Sequence, residues 1–256
     1  MEEKKSKIAV ILHDIHYPLI HKPSIAAVFD FLEYNKVDNI VLGGDQFHFD
    51  CISHHTRGKG LYRLPSSYKN HVEGFDKNIL TPLETLTKNA KRVYILGNHE
   101  RFEHDLIEEH PELMGIVDHV SILKLKERGW NVIPLGHCSK LGNLTVAHGE
   151  ILSNYGNGGL YPAKKAVELY GTSVLVGHTH SAQSYTKISP VEKTKKDIGW
   201  VAPCLCAVNP SYLRNGATSW MNGFSICETM ENGNFNLYPV IITGGKFSFA
   251  GRVYGK

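Results

Sequence analysis

Five apolar runs in this sequence are each followed directly by a short polar motif that contains Asp, Asn or His. In chain order the motifs are Asp14-Ile15-His16, Gly44-Asp45-Gln46-Phe47-His48, Gly97-Asn98-His99-Glu100, His148-Gly149 and Gly177-His178-Thr179-His180. Amphipathic stretches separate the first three runs, which is typical of strands joined by crossover helices. Ligands of such sheets bind beyond the carboxyl ends of the strands. We therefore expect the five motifs to converge on one crevice.

The same periodicities predict the individual elements. Strands are predicted at residues 7–13, 39–43, 92–96, 131–135, 144–148, 174–177, 183–187, 224–228 and 235–241. Helices are predicted after Ser24 as N-cap, over residues 72–86 with a kink at Pro82, and over residues 161–170. The length of 256 residues fits one domain over residues 1–256, with a motif region at 8–180 and a β-rich part at 181–256.

Composition excludes several classes of protein. The net charge of +3 is too small for a protein that coats nucleic acid, although it leaves room for a local basic groove. The charged N-terminus and the polar pair His13-Asp14 interrupt any signal-peptide core, and no apolar stretch approaches a membrane span. Five cysteines without a CxxC pair argue against a disulfide framework and a thiolate zinc site. We expect a cytoplasmic protein without a membrane partner, and the oligomeric state is left open.

The residue types in the motifs are those that bind divalent metals. Residues two apart in an extended segment lie on one side, so Asp14 and His16, or His178 and His180, can reach the same site. Taken singly, a DxH motif is typical of a surface loop, and His148 alone is typical of a hydrogen-bonded core histidine. The repetition of such motifs after five strand-like runs favours a metal site.

This ordered set resembles the calcineurin-like metallophosphoesterase superfamily, whose pattern is DxH, GD, GNH[ED], H and GHxH. The resemblance spans Asp14 to His180. It implies an α/β (α+β) fold, a four-layer sandwich of two mixed β-sheets flanked by helices, with the site at one edge. The tail, with Gly199-Trp200, Cys204-Leu205-Cys206, Asn209-Pro210 and Trp220-Met221-Asn222-Gly223-Phe224, is also similar to small metallophosphoesterases of bacteriophage and prophage genomes. A phage-encoded protein would act in the host cytoplasm.

The resemblance also implies a ligand set for two divalent metal ions. Asp14, His16 and His180 would hold the first ion, Asn98, His148 and His178 the second, and Asp45 would bridge both. Manganese is the expected metal, with zinc, iron, nickel and magnesium as alternatives. Such a pair would hold a bridging hydroxide that attacks the phosphate ester.

Further roles are predicted next to these ligands. By the same resemblance, His99 would protonate the leaving oxygen or stabilise the transition state. Asp14 is also expected to orient His99. Glu100 is predicted to hydrogen-bond a ligand imidazole, with a helix N-terminal charge as the alternative. Arg101 could steer phosphate or be simply solvated. The predicted substrate contacts are thus His48, Asn98, His99 and Arg101.

One departure from the superfamily bears on the substrate. The protein phosphatase branch reads GDxxDRG, whereas this chain has His48 at the position of the second carboxylate and no Arg-Gly after it. His48 matches the GDxxH form of the DNA repair exonucleases in the superfamily. The expected partner is therefore a phosphate ester, a nucleotide or a DNA phosphodiester. A phosphomonoesterase acting on nucleotides is the alternative, ahead of a protein phosphatase or a non-catalytic scaffold.

Overall fold

A computed structural model describes residues 6–56, 58, 67–192, 196–210 and 218–255 of the chain. The first five residues of the charged N-terminus lie outside the described residues. Two mixed sheets form the centre of the fold, one with strand order β11-β10-β1-β2-β3-β4 and one with order β5-β6-β7-β9-β8. Strands β12 and β13 form a separate two-stranded ribbon.

The strands and helices have the following bounds. The strands are β1 (Lys7–Leu12), β2 (Asn39–Leu42), β3 (Lys91–Ile95), β4 (Trp130–Ile133), β5 (Cys138–Leu141), β6 (Leu144–Ala147), β7 (Val174–Val176), β8 (Gln183–Ile188), β9 (Lys196–Val201), β10 (Gly223–Thr229), β11 (Phe235–Ile241), β12 (Phe247–Phe249) and β13 (Arg252–Tyr254). The helices are α1 (Lys22–Tyr34), α2 (Tyr68–Phe75), α3 (Thr81–Leu86), α4 (Arg101–Glu109), α5 (His119–Ile122) and α6 (Pro162–Tyr170). Within the described ranges, no helix has the length and apolar character needed to cross a membrane.

Three apolar cores show that the two sheets and their helices form four layers. In β1, Val10 and Leu12 face a core shared with α1, α2 and α3, whereas Ala9 and Ile11 face the second sheet. This division follows from the alternation of side chains along a strand. A third core packs α6 against the outer face of the second sheet through Ala163, Ala166, Val174 and Val176. The predicted fold class, two mixed sheets flanked by helices, is confirmed.

Strand direction places the sequence motifs. Strands β1, β2 and β3 run parallel, with Leu12 paired to Leu42 and Leu42 to Tyr94. Strands β6 and β7 of the second sheet are parallel to each other as well. Each motif begins within two residues of the end of one of these five strands. The carboxyl ends of β1, β2 and β3 are therefore neighbours at one edge of the sandwich.

Several element boundaries differ from the sequence prediction. Helix α1 begins at Lys22, so Ser24 is not its N-cap, and the Ser24 hydroxyl lies 2.7 Å from His21 Nδ1 instead. The predicted helix over residues 72–86 is interrupted by a π-helical turn over Asp76–Leu80, in which the Thr81 N–H reaches the Asp76 carbonyl. Pro82 has no N–H to donate to the preceding turn, so the hydrogen-bond register widens before it.

Strands β5, β9, β12 and β13 were not predicted. These strands are short or rich in polar residues. They are formed by pairing with neighbouring strands and not by an apolar run of their own.

Candidate metal centre

Backbone hydrogen bonds join the motifs to one another. The Asp14 N–H donates to the Gly44 carbonyl at 3.1 Å, and the Gly177 N–H donates to the His148 carbonyl at 2.8 Å. The His178 N–H donates to Asp14 Oδ2 at 2.9 Å and so links the two sheets. The crevice expected from the sequence is therefore assembled from both sheets.

Five of the seven predicted ligands have left-handed backbone conformations. Their φ angles are 53° at Asp14, 50° at His16, 52° at Asp45, 65° at His178 and 57° at His180. A left-handed conformation costs a non-glycine residue about 1 kcal/mol or more. Such strain clusters at functional sites, where the surrounding structure enforces it. Here it turns each side chain into the crevice directly after its strand.

The first predicted ligand set lies around His16 and His180. Their Nε2 atoms are 3.1 Å apart, and Asp14 Oδ1 lies 3.2 Å from His180 Nε2 and 3.8 Å from His16 Nε2. Asp14 Oδ1 is buried without a hydrogen-bond partner. Donor atoms about 2.1 Å from a shared cation, at angles of 90° to 109°, are separated by about 3.0 to 3.4 Å. His180 Nε2 meets this range with both other atoms, whereas the 3.8 Å between Asp14 Oδ1 and His16 Nε2 lies beyond it. The three atoms are therefore candidate ligands of one divalent ion.

The second predicted ligand set lies around Asn98. The Asn98 Oδ1 atom is 2.9 Å from His148 Nε2 and 2.9 Å from His178 Nδ1. His148 Nε2 also lies 3.3 Å from Asp45 Oδ2. An amide oxygen cannot donate a hydrogen, so Asn98 faces both rings only as an acceptor or as a metal ligand. These atoms also fit a divalent ion.

One oxygen of Asp45 lies between the two sets. Asp45 Oδ2 is 3.6 Å from His16 Nε2 in the first set and 3.3 Å from His148 Nε2 in the second. The other oxygen, Oδ1, accepts the His99 backbone N–H at 2.9 Å. Oδ2 is therefore the oxygen of Asp45 that faces both predicted ligand sets.

Two glycines allow the carboxylates to approach the backbone. A Cβ atom at Gly97 would collide with the Asp45 side chain, and one at Gly177 would lie 2.5 Å from Asp14 Oδ2. The glycines that precede the ligands in the GNH and GHTH motifs therefore leave room for the carboxylates of other motifs.

Glu100 contacts backbone and not a ligand imidazole, which corrects the sequence prediction. Its carboxylate accepts the N–H groups of Gly97 at 2.7 Å, Asp45 at 3.1 Å and Phe47 at 3.1 Å. Burial raises the pKa of Glu100, the Asp45 carboxylate adds to this shift, and the backbone donors oppose it. Glu100 thus fastens the GDQFH loop to the GNHE loop.

His99 lies beside the two ligand sets with one ring nitrogen already paired. Its Nδ1 is 2.7 Å from the His48 carbonyl, so Nδ1–H donates to that oxygen. Its Nε2 lies 3.9 Å from Asp45 Oδ2. Asp14 contacts His16 and His180 instead, so the contacts of the described residues give the prediction that Asp14 orients His99 no support. The orienting group is the His48 carbonyl.

The His48 ring is buried next to the crevice. Its centroid lies 5.6 Å from that of His16 and 5.2 Å from that of His99. Burial lowers the pKa of His48 to about 3, and His99 adds to the shift. His48 is therefore neutral at physiological pH and adjoins the predicted acid.

Arg101 is exposed and contacts Asp105. Its side chain is 63% exposed, and its Nε donates to Asp105 Oδ1 at 3.2 Å along α4. This contact favours the solvated alternative, and the substrate role of Arg101 remains a prediction.

Four further residues contact the ligand histidines without having been predicted to do so. Trp220 packs edge-on against His180 with ring centroids 4.1 Å apart, and Cys206 Sγ lies 3.8 Å from His180 Nδ1. Ser153 and Asn157 contact His178 Nε2. None of them stands in one of the five ligand motifs, although Cys206 and Trp220 belong to the tail segments similar to phage metallophosphoesterases. Only the tertiary structure reveals their contacts with the histidines.

Without metal, protons on histidine balance the buried carboxylates. Burial lowers the pKa of His148, but the Asp45 carboxylate outweighs burial and raises the pKa to about 10. Asp14 likewise outweighs burial and raises the pKa of His180. Burial lowers the pKa of His178, and its cationic neighbour His148 lowers it further.

Comparisons with known proteins give distant similarities. No protein-family model matches the chain. The chain is 26% identical over 261 residues to the Gene 54 protein of Mycobacterium phage D29, covering 97% of this chain and 99% of that protein. It is 25% identical over 263 residues to the Gene 54 protein of Mycobacterium phage L5, with coverage of 97% and 99%.

Two solved structures are also similar. Vacuolar Protein Sorting 29 from Cryptosporidium parvum has a TM-score of 0.48 and 14% identity, covering 98% of this chain and 100% of that one. A conserved uncharacterized protein from Streptococcus pneumoniae TIGR4, described as a predicted phosphoesterase, has a TM-score of 0.41 and 11% identity, with coverage of 99% and 100%.

The raised pKa of His148 predicts that metal binding depends on pH. Below pH 10 the metal-free protein carries a proton on His148, and a cation must displace it to reach Nε2. Affinity for Mn²⁺ should therefore rise between pH 6.5 and 8.5 by about tenfold per pH unit for each proton released. Titration calorimetry in two buffers of different ionisation enthalpy counts these protons. An affinity independent of pH would contradict the assignment of His148 as a ligand.

Proposed function

We propose that this chain is a metal-dependent phosphoesterase of the calcineurin-like superfamily, with a binuclear centre formed by Asp14, His16, Asp45, Asn98, His148, His178 and His180. The observation that carries this proposal is the position of Asp45 Oδ2, within 3.6 Å of a ligand nitrogen of each set. We expect manganese in both positions. The two phage proteins that align along nearly the whole chain support a phage origin, for which the host cytoplasm is the proposed location.

The ligand types suit a phosphate ester. Two divalent cations supply Lewis acidity and a water molecule that ionises near neutral pH. The set holds two carboxylates, Asp14 and Asp45, while the imidazoles and the Asn98 amide are neutral ligands. Four positive charges against two negative ones leave a net charge of about +2 at the loaded centre. A centre of that charge attracts an anionic phosphate.

His99 is the proposed general acid. Its Nδ1–H is held by the His48 carbonyl, which leaves Nε2 on the side of Asp45 and the crevice. The carbonyl also fixes the orientation of the ring. A proton on Nε2 can then pass to the leaving oxygen as the ester bond breaks.

His48 supports a phosphodiester or nucleotide substrate. A neutral imidazole can donate one hydrogen bond to the single negative charge of a diester, but it offers no cation to a monoester dianion. Arg101 is engaged with Asp105 on an exposed face. A phosphomonoesterase acting on nucleotides remains the second candidate because both reactions use the same ligand set.

The proposed function predicts that Asp45→Asn abolishes metal-dependent hydrolysis. Loss of the shared ligand should weaken both ions, and activity on bis-nitrophenyl phosphate with Mn²⁺ should fall more than about 100-fold, since loss of an outer contact alone costs 10- to 100-fold. The panel should also contain nitrophenyl phosphate, nucleotides, cyclic nucleotides and DNA. Asp197→Asn on β9 is the matched control. Wild-type protein that binds no Mn²⁺ and hydrolyses none of these esters would refute the proposal.

The proposed role of His99 predicts a dependence on the leaving group. His99→Ala should keep its metal but lose about 10² to 10⁴ in kcat with alkoxide leaving groups, which need a proton. The loss should be much smaller with nitrophenolate. His104→Ala, an exposed histidine of α4, provides the control. Equal losses with both kinds of ester would rule out general acid catalysis.

His48→Ala should reduce diester cleavage about 10-fold or more, because one hydrogen bond to a charged group is lost, while monoester cleavage changes less. Metal content, measured by plasma mass spectrometry, should be unchanged. A parallel loss of both activities would show that His48 acts through the metals or through the orientation of His99.

A further inference from the structure

The segment Glu150–Gly158 follows the fourth motif, and two of its side chains contact His178 of the fifth motif. Ser153 Oγ lies 2.7 Å from His178 Nε2, and Asn157 Oδ1 lies 3.2 Å from the same nitrogen. The other ring nitrogen of His178, Nδ1, faces Asn98 Oδ1 at 2.9 Å. Both nitrogens of this ring are therefore engaged, one toward the second ligand set and one toward this segment.

These contacts favour one nitrogen of His178 as the ligand of a cation. A neutral imidazole carries one proton, and the nitrogen without it is the ligand. Asn157 Oδ1 can only accept, and Ser153 Oγ can accept as well. A proton on Nε2 therefore has two acceptors, whereas a proton on Nδ1 has only Asn98 Oδ1, which is itself a predicted ligand. The tautomer with the proton on Nε2 leaves the lone pair of Nδ1 free and directed to the side of Asn98 and His148.

The segment is anchored independently of these two contacts. Leu152 is fully buried, and the Glu150 carboxylate accepts the N–H groups of Gly136 at 2.8 Å and Gly149 at 3.1 Å. Left-handed residues, with φ of 59° at Gly156 and 56° at Asn157, then turn the backbone so that it returns toward His178. Ser153 and Asn157 are exposed, and the backbone that carries them is anchored by Leu152 and Glu150.

We infer that Ser153 and Asn157 are positioning residues for the second metal ion, which hold the proton of His178 on Nε2 so that Nδ1 coordinates. This inference rests on the proposed binuclear centre. It assigns the segment Glu150–Gly158 a part in metal retention, and it implies that occupation of the second position orders the segment in return, since one hydrogen-bonded ring connects the two.

The experiment measures the affinity of each Mn²⁺ position by equilibrium dialysis with plasma mass spectrometry. The double variant Ser153→Ala/Asn157→Ala should lose about 10- to 100-fold in affinity at the second position and keep the first, the effect expected when outer hydrogen bonds to a ligand histidine are removed. Ser153→Ala alone should lose less, because Asn157 still accepts the proton. Ser153→Thr keeps the hydroxyl and should restore wild-type affinity in the presence of Asn157. Asn154→Ala, in the same segment, is the matched control.

A second readout separates positioning from a general effect on the fold. In wild-type protein, Mn²⁺ should slow backbone hydrogen exchange over residues 150–158, and in the double variant this protection should be lost, while the metal-free melting temperature stays the same. Two ions bound with unchanged affinity by the double variant would overturn the inference and leave the proposed function standing. A wild-type protein that binds fewer than two ions would overturn both.

Discussion

The Asp45 carboxylate faces both ligand sets, and the site depends on how it is held. Asp45 has a left-handed backbone and carries a buried negative charge, two features that disfavour this position in isolation. Glu100 stabilises it from behind by accepting the N–H groups of Asp45, Phe47 and Gly97. The His99 N–H donates to Asp45 Oδ1 from the same loop. The second and third motifs are therefore one structural unit.

The remaining ligands require the two sheets to pack correctly. Asp14 and His16 follow β1 of the first sheet, whereas His148, His178 and His180 follow β6 and β7 of the second. The core between the sheets, which includes Ala9 and Ile11, sets their separation. A ligand atom displaced further from the others could no longer share a cation with them. A looser core should therefore lower the metal affinity before it changes the secondary structure.

The sequence predicts the parts of this arrangement that have a local signal. Each candidate ligand directly follows an apolar strand, so its approximate place at the sheet edge can be inferred without a structure. The contacts that hold the ligands have no such signal. Glu100 accepts hydrogen bonds from the N–H groups of Asp45 and Phe47, more than fifty residues away in sequence. Ser153 contacts His178, which lies 25 residues later. Arg101 adjoins the GNHE motif in sequence, and its side chain contacts Asp105 along the helix, so its role as a phosphate contact remains a prediction.

Two buried carboxylates at one sheet edge need positive charge whether or not metal is bound. In the metal-free protein, protons on His148 and His180 supply it, since Asp45 and Asp14 raise the pKa values of these rings against the effect of burial. In the proposed binuclear centre, a divalent cation at each set would replace such a proton with a larger charge at nearly the same place. The histidines can therefore stay where they are and change only from donor to ligand. The fold is in this sense preorganised for cations. Folding supplies most of the free energy needed to bring the seven polar side chains together.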